Sequence, residues 1–181
     1  MVYVFLADGF EETEALVPVD ILRRGGVEVK TVGIGSKTVC GSHKIPVVCD
    51  ITEEEVSPDN IKAIVLPGGM PGTLNLKKSN TVNSLIDFAA DNGIIIGAIC
   101  AAPSILGEKG LLKGKRATCF PGFEQALSGA ALCEGPAVKD GNIITACGAG
   151  AAFQFGFLLL AALYGNDTAD KLKAGMLYDR Q

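Results

Sequence analysis

The chemistry in this chain concentrates at one cysteine. In Gly93-Ile94-Ile95-Ile96-Gly97-Ala98-Ile99-Cys100-Ala101-Ala102-Pro103, an aliphatic run bounded by glycines reads as a buried strand. Small residues then lead into a helix over Ser104–Lys109. Cys100 falls where strand gives way to helix. That turn pushes a side chain out at the carboxyl edge of a sheet, the usual place for a nucleophile in an α/β protein. The positive end of the following helix favours an anion, so a lowered thiol pKa and a reactive Cys100 thiolate are expected. Two further pieces could serve it. Glu11, Glu12 and Glu14 lie in the first turn of a helix following Asp8-Gly9-Phe10, and one or two of them can point inward. Gly68-Gly69, directly after Ile61–Leu66, allow unusual dihedrals and close approach of backbone N–H groups to a ligand.

The elements that must position these groups follow from the hydrophobic pattern. Residues 2–7 read as a buried strand, and a helix runs from about Glu11 to Arg24, acids first and Arg23-Arg24 last. Val27–Val32 completes a βαβ unit. Lys37–Cys40 and Ile45–Cys49 form a short β excursion. Beyond Ile61–Leu66 comes a helix over Thr81–Asn92, then the cysteine strand. Arg116–Cys119 reads as a further strand and Phe123–Leu127 as a short helix. Ala137–Thr145 reads as a hairpin turning at Asp-Gly or Gly-Asn. An apolar helix over Ala151–Leu163 would cover one sheet face, and Asp167–Ala174 forms a last helix. This alternation implies α/β architecture, a mostly parallel sheet with helices on both faces. In such a sheet the strand ends share one crevice, so the thiol, a helix-borne carboxyl and free N–H groups could meet.

The bulk properties set limits. The 181 residues suit one domain spanning 1–181, and a hydrophobic share of 48% supports a full core. A net charge of -4 without a basic block argues against general nucleic-acid binding. No apolar run reaches the roughly 18 residues of a membrane span. The start lacks the basic flank and cleavage site of a signal peptide, so a cytoplasmic location is expected. The six cysteines, at 40, 49, 100, 119, 133 and 147, include no CxxC and read as reduced, small hydrophobes. With one histidine and no paired ligand spacing, no metal is expected.

Four motifs in this order and spacing carry a resemblance that spans essentially the whole chain. They are Gly9-Phe10-Glu11-Glu12-Thr13-Glu14 with Pro18-Val19-Asp20, Val65-Leu66-Pro67-Gly68-Gly69, Ala98-Ile99-Cys100-Ala101-Ala102-Pro103, and Gly148-Ala149-Gly150 before the apolar helix. The chain resembles the ThiJ/PfpI superfamily, in its DJ-one-like branch (that of the Parkinson disease protein). The resemblance implies a flavodoxin-like three-layer sandwich with a nucleophile elbow, and a homodimer. It implies that Cys100 is the nucleophile, that Glu14 hydrogen-bonds its sulfur, and that the N–H groups of Gly69 and Ala101 bind an oxyanion. It implies a cofactor-independent glyoxalase or deglycase, acting on methylglyoxal, another small aldehyde or a glycated substrate. The alternative it carries is an oxidative-stress sensor or chaperone whose Cys100 becomes a sulfinate without turnover.

Two departures from that pattern matter. Relatives often place histidine before a proline near the cysteine; here Phe120-Pro121 stands there, preceded by Cys119. Human-like members have arginine where this chain has Cys147. A pocket formed by Gly68, Cys119, Phe120 and Cys147 is expected, with a local disulfide open to the second thiol. The lone His43, in the β excursion, is expected at a surface or interface rather than as a base. A Cys-His hydrolase is therefore disfavoured, and proton transfer falls to Glu14.

Overall fold

A computed structural model describes residues 1–178. In chain order the elements are β1 (Val2–Leu6), α1 (Glu12–Arg24), β2 (Val29–Gly33), β3 (Thr38–Cys40), β4 (Pro46–Val48), β5 (Ile51–Thr52) and β6 (Ala63–Leu66). Next come α2 (Gly72–Lys78), α3 (Asn80–Asp91), β7 (Ile95–Ile99), α4 (Pro103–Glu108), β8 (Arg116–Ala117) and β9 (Ala131–Leu132). The chain closes with β10 (Ala137–Asp140), β11 (Ile143–Ala146), α5 (Ala152–Tyr164) and α6 (Asn166–Gly175).

Seven strands form one sheet in the order β10-β11-β7-β6-β1-β2-β5. Every pairing is parallel except β10 with β11. Its central order, β2-β1-β6-β7-β11, is that of flavodoxin-like folds, and the chain reverses direction across the sheet between β1 and β6. Because side chains alternate along a strand, each β1 residue belongs to one of two cores. Val2, Val4 and Leu6 pack under α1 and α5 with Ile21, Leu22 and Phe155. Tyr3 and Phe5 pack on the other face with Ile86, Leu106 and Ile64. The strands are buried on both faces, which is why they read as unbroken aliphatic runs. Helix α1 lies close along α5. A Cβ on Gly156 would sit 2.7 Å from the Ile21 side chain and 3.2 Å from the Pro18 backbone.

The expected excursion is a separate hairpin, β3 against β4. It is tied to the loop after β1: Gly9 N–H donates to the Cys40 carbonyl, and Cys40 N–H to the Asp8 carboxylate, both at 2.8 Å. The Ala137–Thr145 hairpin forms with Gly141-Asn142 at its tip. Three expectations change. The Arg116–Cys119 strand stops at Ala117 and pairs with β9 in a small sheet of its own. Thr118 leaves that ladder because its N–H donates to the Thr145 hydroxyl at 2.9 Å. Helix α2 was unforeseen, since its glycine, threonine and asparagine are weak helix formers. Glu11 lies outside α1 as its N-cap, its carboxylate accepting the Glu14 N–H at 2.6 Å. No helix among the described residues is long and apolar enough to cross a membrane.

Candidate active site

Three loops meet at the carboxyl ends of β1, β6 and β7. The Glu11 N–H donates to the Gly68 carbonyl at 3.0 Å. The Glu14 carboxylate accepts the Gly68 N–H at 2.9 Å. Helix α1 is thus fastened to the β6 loop by backbone and side chain together, and Glu14 is almost wholly buried beneath it. The carboxyl also hydrogen-bonds the Cys100 thiol. This contact needs a glycine at 68. A Cβ there would lie 2.6 Å from both the Cys100 Cβ and the Glu14 Oε2.

Cys100 has a φ of 66°, a left-handed conformation that costs a residue with a Cβ roughly 1–2 kcal/mol. Its neighbours hold it there. The Cys100 N–H donates to the Ala146 carbonyl at 2.9 Å, extending the β7–β11 ladder, and its carbonyl accepts the Phe120 N–H at 2.8 Å. The N–H groups of Gly69 and Ala101 lie near its sulfur and favour its charged form. Gly69 reaches that position with a φ of 88°. A Cβ there would press within 2.5 Å of the Glu11 nitrogen.

The electrostatics reverse one expectation. Burial, with the Glu11 charge adding to it, pushes the Glu14 carboxyl up to about 7 against the Cys100 and Gly68 hydrogen bonds. The Cys100 thiol is not lowered. Burial, then the Glu14 charge and its hydrogen bond, push it up to about 12, while the Gly69 and Ala101 N–H groups pull the other way. Helix α4 has six residues, too short a dipole to outweigh desolvation beside a carboxylate. Thiol and carboxyl therefore carry two protons below about 7 and one above it, and titrate as a pair.

The structure brings Cys100, Glu14, Gly69 and Ala101 together. Gly68 forms the buried floor between thiol and carboxyl. Cys119, Phe120 and Cys147 line a neighbouring groove of about 870 Å³ with Leu132, Cys133 and Gly148. The wall of this groove adjoins the pair: a Cβ on Gly148 would stand 3.3 Å from the Phe120 ring and 4.0 Å from Glu14 Oε1. Glu124 and Glu134, also in its wall, were not anticipated, since only the fold brings that segment to Cys100. All six cysteines are free thiols. His43 sits on the hairpin, where its backbone N–H and its Nδ1 each lie 2.8 Å from a Glu12 oxygen. Glu11, Glu12 and His43 form the group of three potential metal ligands found among the described residues. Glu11 and Glu12 already accept the hydrogen bonds described above, and sequence spacing gave no sign of the cluster.

The model of the DJ-1/PfpI family matches residues 1–162. The chain belongs to the DJ-1/PfpI family. It is similar to the dj-1beta protein of Drosophila melanogaster, 33% identical over 177 residues, covering 96% of this chain and 95% of the relative. It is also similar to a protein of Caenorhabditis elegans named a glutathione-independent glyoxalase, 29% identical over 164 residues, covering 90% of this chain and 87% of the relative. The crystal structure of a DJ-1 superfamily protein from Salmonella typhimurium superposes with a TM-score of 0.91 at 38% identity, covering 98% of this chain and 97% of that one.

Proposed function

We propose that the chain is a cysteine-dependent, cofactor-independent glyoxalase that converts 2-oxoaldehydes such as methylglyoxal, or their adducts, to 2-hydroxy acids. One observation carries this reading: a thiol held at a left-handed turn, bonded to a buried carboxyl raised to about 7 and faced by two backbone N–H groups. The likeness to a named glyoxalase supports it.

With the thiol pushed up to about 12, Cys100 is not a resting thiolate, and Glu14 acts on it as general base. As the Sγ–carbon bond forms at the aldehyde, the thiol proton passes to the Glu14 carboxylate. The carbonyl π pair moves to oxygen, where the N–H groups of Gly69 and Ala101 receive it, a stabilisation of about 3 kcal/mol per donor in other enzymes. Glu14 then gives its proton to that oxygen, completing a hemithioacetal.

The regenerated carboxylate removes the C–H proton of the hemithioacetal carbon. The resulting enediolate takes that proton back at the neighbouring carbon while the hydroxyl proton moves from the former aldehyde oxygen to the former ketone oxygen, leaving a thioester of the 2-hydroxy acid. Water cleaves the thioester and restores the thiol. The aldehyde carbon is oxidised and the ketone carbon reduced within one molecule, so no outside electrons are needed. Rapid-quench mass spectrometry with methylglyoxal tests this sequence. It should find the acyl group on Cys100 and lactate in solution; lactate formed with no acylated Cys100 during turnover would refute it.

The raised Glu14 pKa also favours a second reading. A carboxyl protonated for part of the time at neutral pH can donate to a sulfinate. Two hydroperoxide molecules would each lose an oxygen to Cys100 in turn, leaving the sulfinic acid and two molecules of water or alcohol. Such a site would sense oxidants without turnover. Titration of Cys100 with peroxide, read by intact mass, tests it: a gain of two oxygens without loss of folded structure is expected, and oxidation confined to other cysteines would exclude it.

A further inference from the structure

We propose that the groove beside Cys100 admits uncharged, apolar-substituted carbonyl compounds and rejects those that carry a carboxylate. As a statement about substrates this rests on the glyoxalase reading; as a statement about what reaches the thiol it stands apart. Methylglyoxal would leave most of the 870 Å³ empty, and a space of that size accommodates a much larger substituent. Its wall is mostly apolar, with Phe120 nearly half exposed and Leu132 more so. The charged side chains lining it are Glu124 and Glu134; no lysine or arginine lines it among the described residues. The Glu124 charge is felt inside, where, after burial, it helps push the Cys119 thiol up to about 11. Behind the Gly148 wall lies a third acid, the buried Glu14, its Oε1 4.0 Å from a Cβ placed on Gly148. An anionic substituent would thus meet like charges with no lysine or arginine in the wall, among the described residues, to offset them.

Two matched pairs of probes, each differing by one carboxylate, test the proposal. Phenylglyoxal and 4-carboxyphenylglyoxal compare turnover. Iodoacetamide and iodoacetate compare alkylation of Cys100, with glutathione as the reference thiol. The neutral partner should win in both pairs, and in alkylation its advantage should exceed that on glutathione by about tenfold. In Glu124→Gln with Glu134→Gln, which leaves Cys100 and Glu14 untouched, that excess should shrink several-fold. An alkylation preference equal to that of glutathione, or one unchanged in the double variant, overturns the proposal. If neither glyoxal turns over but the alkylation preference and its loss are seen, the glyoxalase reading falls and the groove's selectivity stands.

Discussion

Glu14 faces Cys100 from the first turn of α1, its carboxyl bonding both the thiol and the Gly68 N–H. Burial raises the pKa of each partner, so neither charge is comfortable and one proton is easily passed between them. This relationship ties the chemistry of the site to its stability.

The acid limb of the rate profile should have its midpoint near 7, the value to which Glu14 is raised. Glu14 must be ionised to take the thiol proton, so kcat/KM for methylglyoxal should rise as pH passes upward through 7 and fall below it. An initial-rate profile checks this. A midpoint near 4.5, the value of an ordinary carboxyl, would detach Glu14 from the chemistry.

Glu14→Gln should raise stability while removing activity. A carboxyl whose folded pKa lies above its unfolded one favours the fold at low pH, and that advantage is lost as pH climbs from 4.5 towards 7. The neutral amide escapes the loss and can still accept the Gly68 N–H. Urea unfolding should find the variant about 3 kcal/mol more stable at pH 8, with the gain vanishing near pH 4. Destabilisation at pH 8 would show that the ionised carboxyl is well accommodated.

Gly68→Ala places a methyl 2.6 Å from both Cys100 Cβ and Glu14 Oε2. Overpacking of this kind costs about 1–3 kcal/mol, and here it would also separate thiol from carboxyl. A fall in the urea midpoint together with a loss of at least about 100-fold in kcat is expected. Unchanged kinetics would mean that the contact is dispensable.

Cys100→Gly should be more stable than Cys100→Ala by about 1 kcal/mol, because glycine occupies a φ of 66° without the penalty alanine incurs. The reverse order, measured by thermal unfolding, would mean that the turn stores no strain.

Much of this was legible in the sequence, for identifiable reasons. Val2–Leu6 and Ile95–Ile99 are buried on both faces, so their aliphatic runs announce a parallel sheet. Gly68-Gly69 and Cys100-Ala101 mark the strand ends that the fold joins. The direction of the thiol pKa was not legible. A helix dipole can be inferred from chain order, but burial and the nearness of Glu14 to Cys100 exist only after folding. The same holds for Glu12 with His43, 31 positions apart, and for Glu124 and Glu134 in the groove. Thr118 looks like strand from its neighbours, yet its N–H is claimed by Thr145. Tertiary hydrogen bonding overrides local propensity there.

The most direct test is lactate formation from methylglyoxal by metal-chelated protein, measured for the native chain, Cys100→Ser and Glu14→Gln under the same conditions. Circular dichroism would confirm that each is folded. Steady production by the native chain, with both variants at background, is the expected result. Undiminished lactate formation by Cys100→Ser would contradict the assignment of the reaction to this thiol.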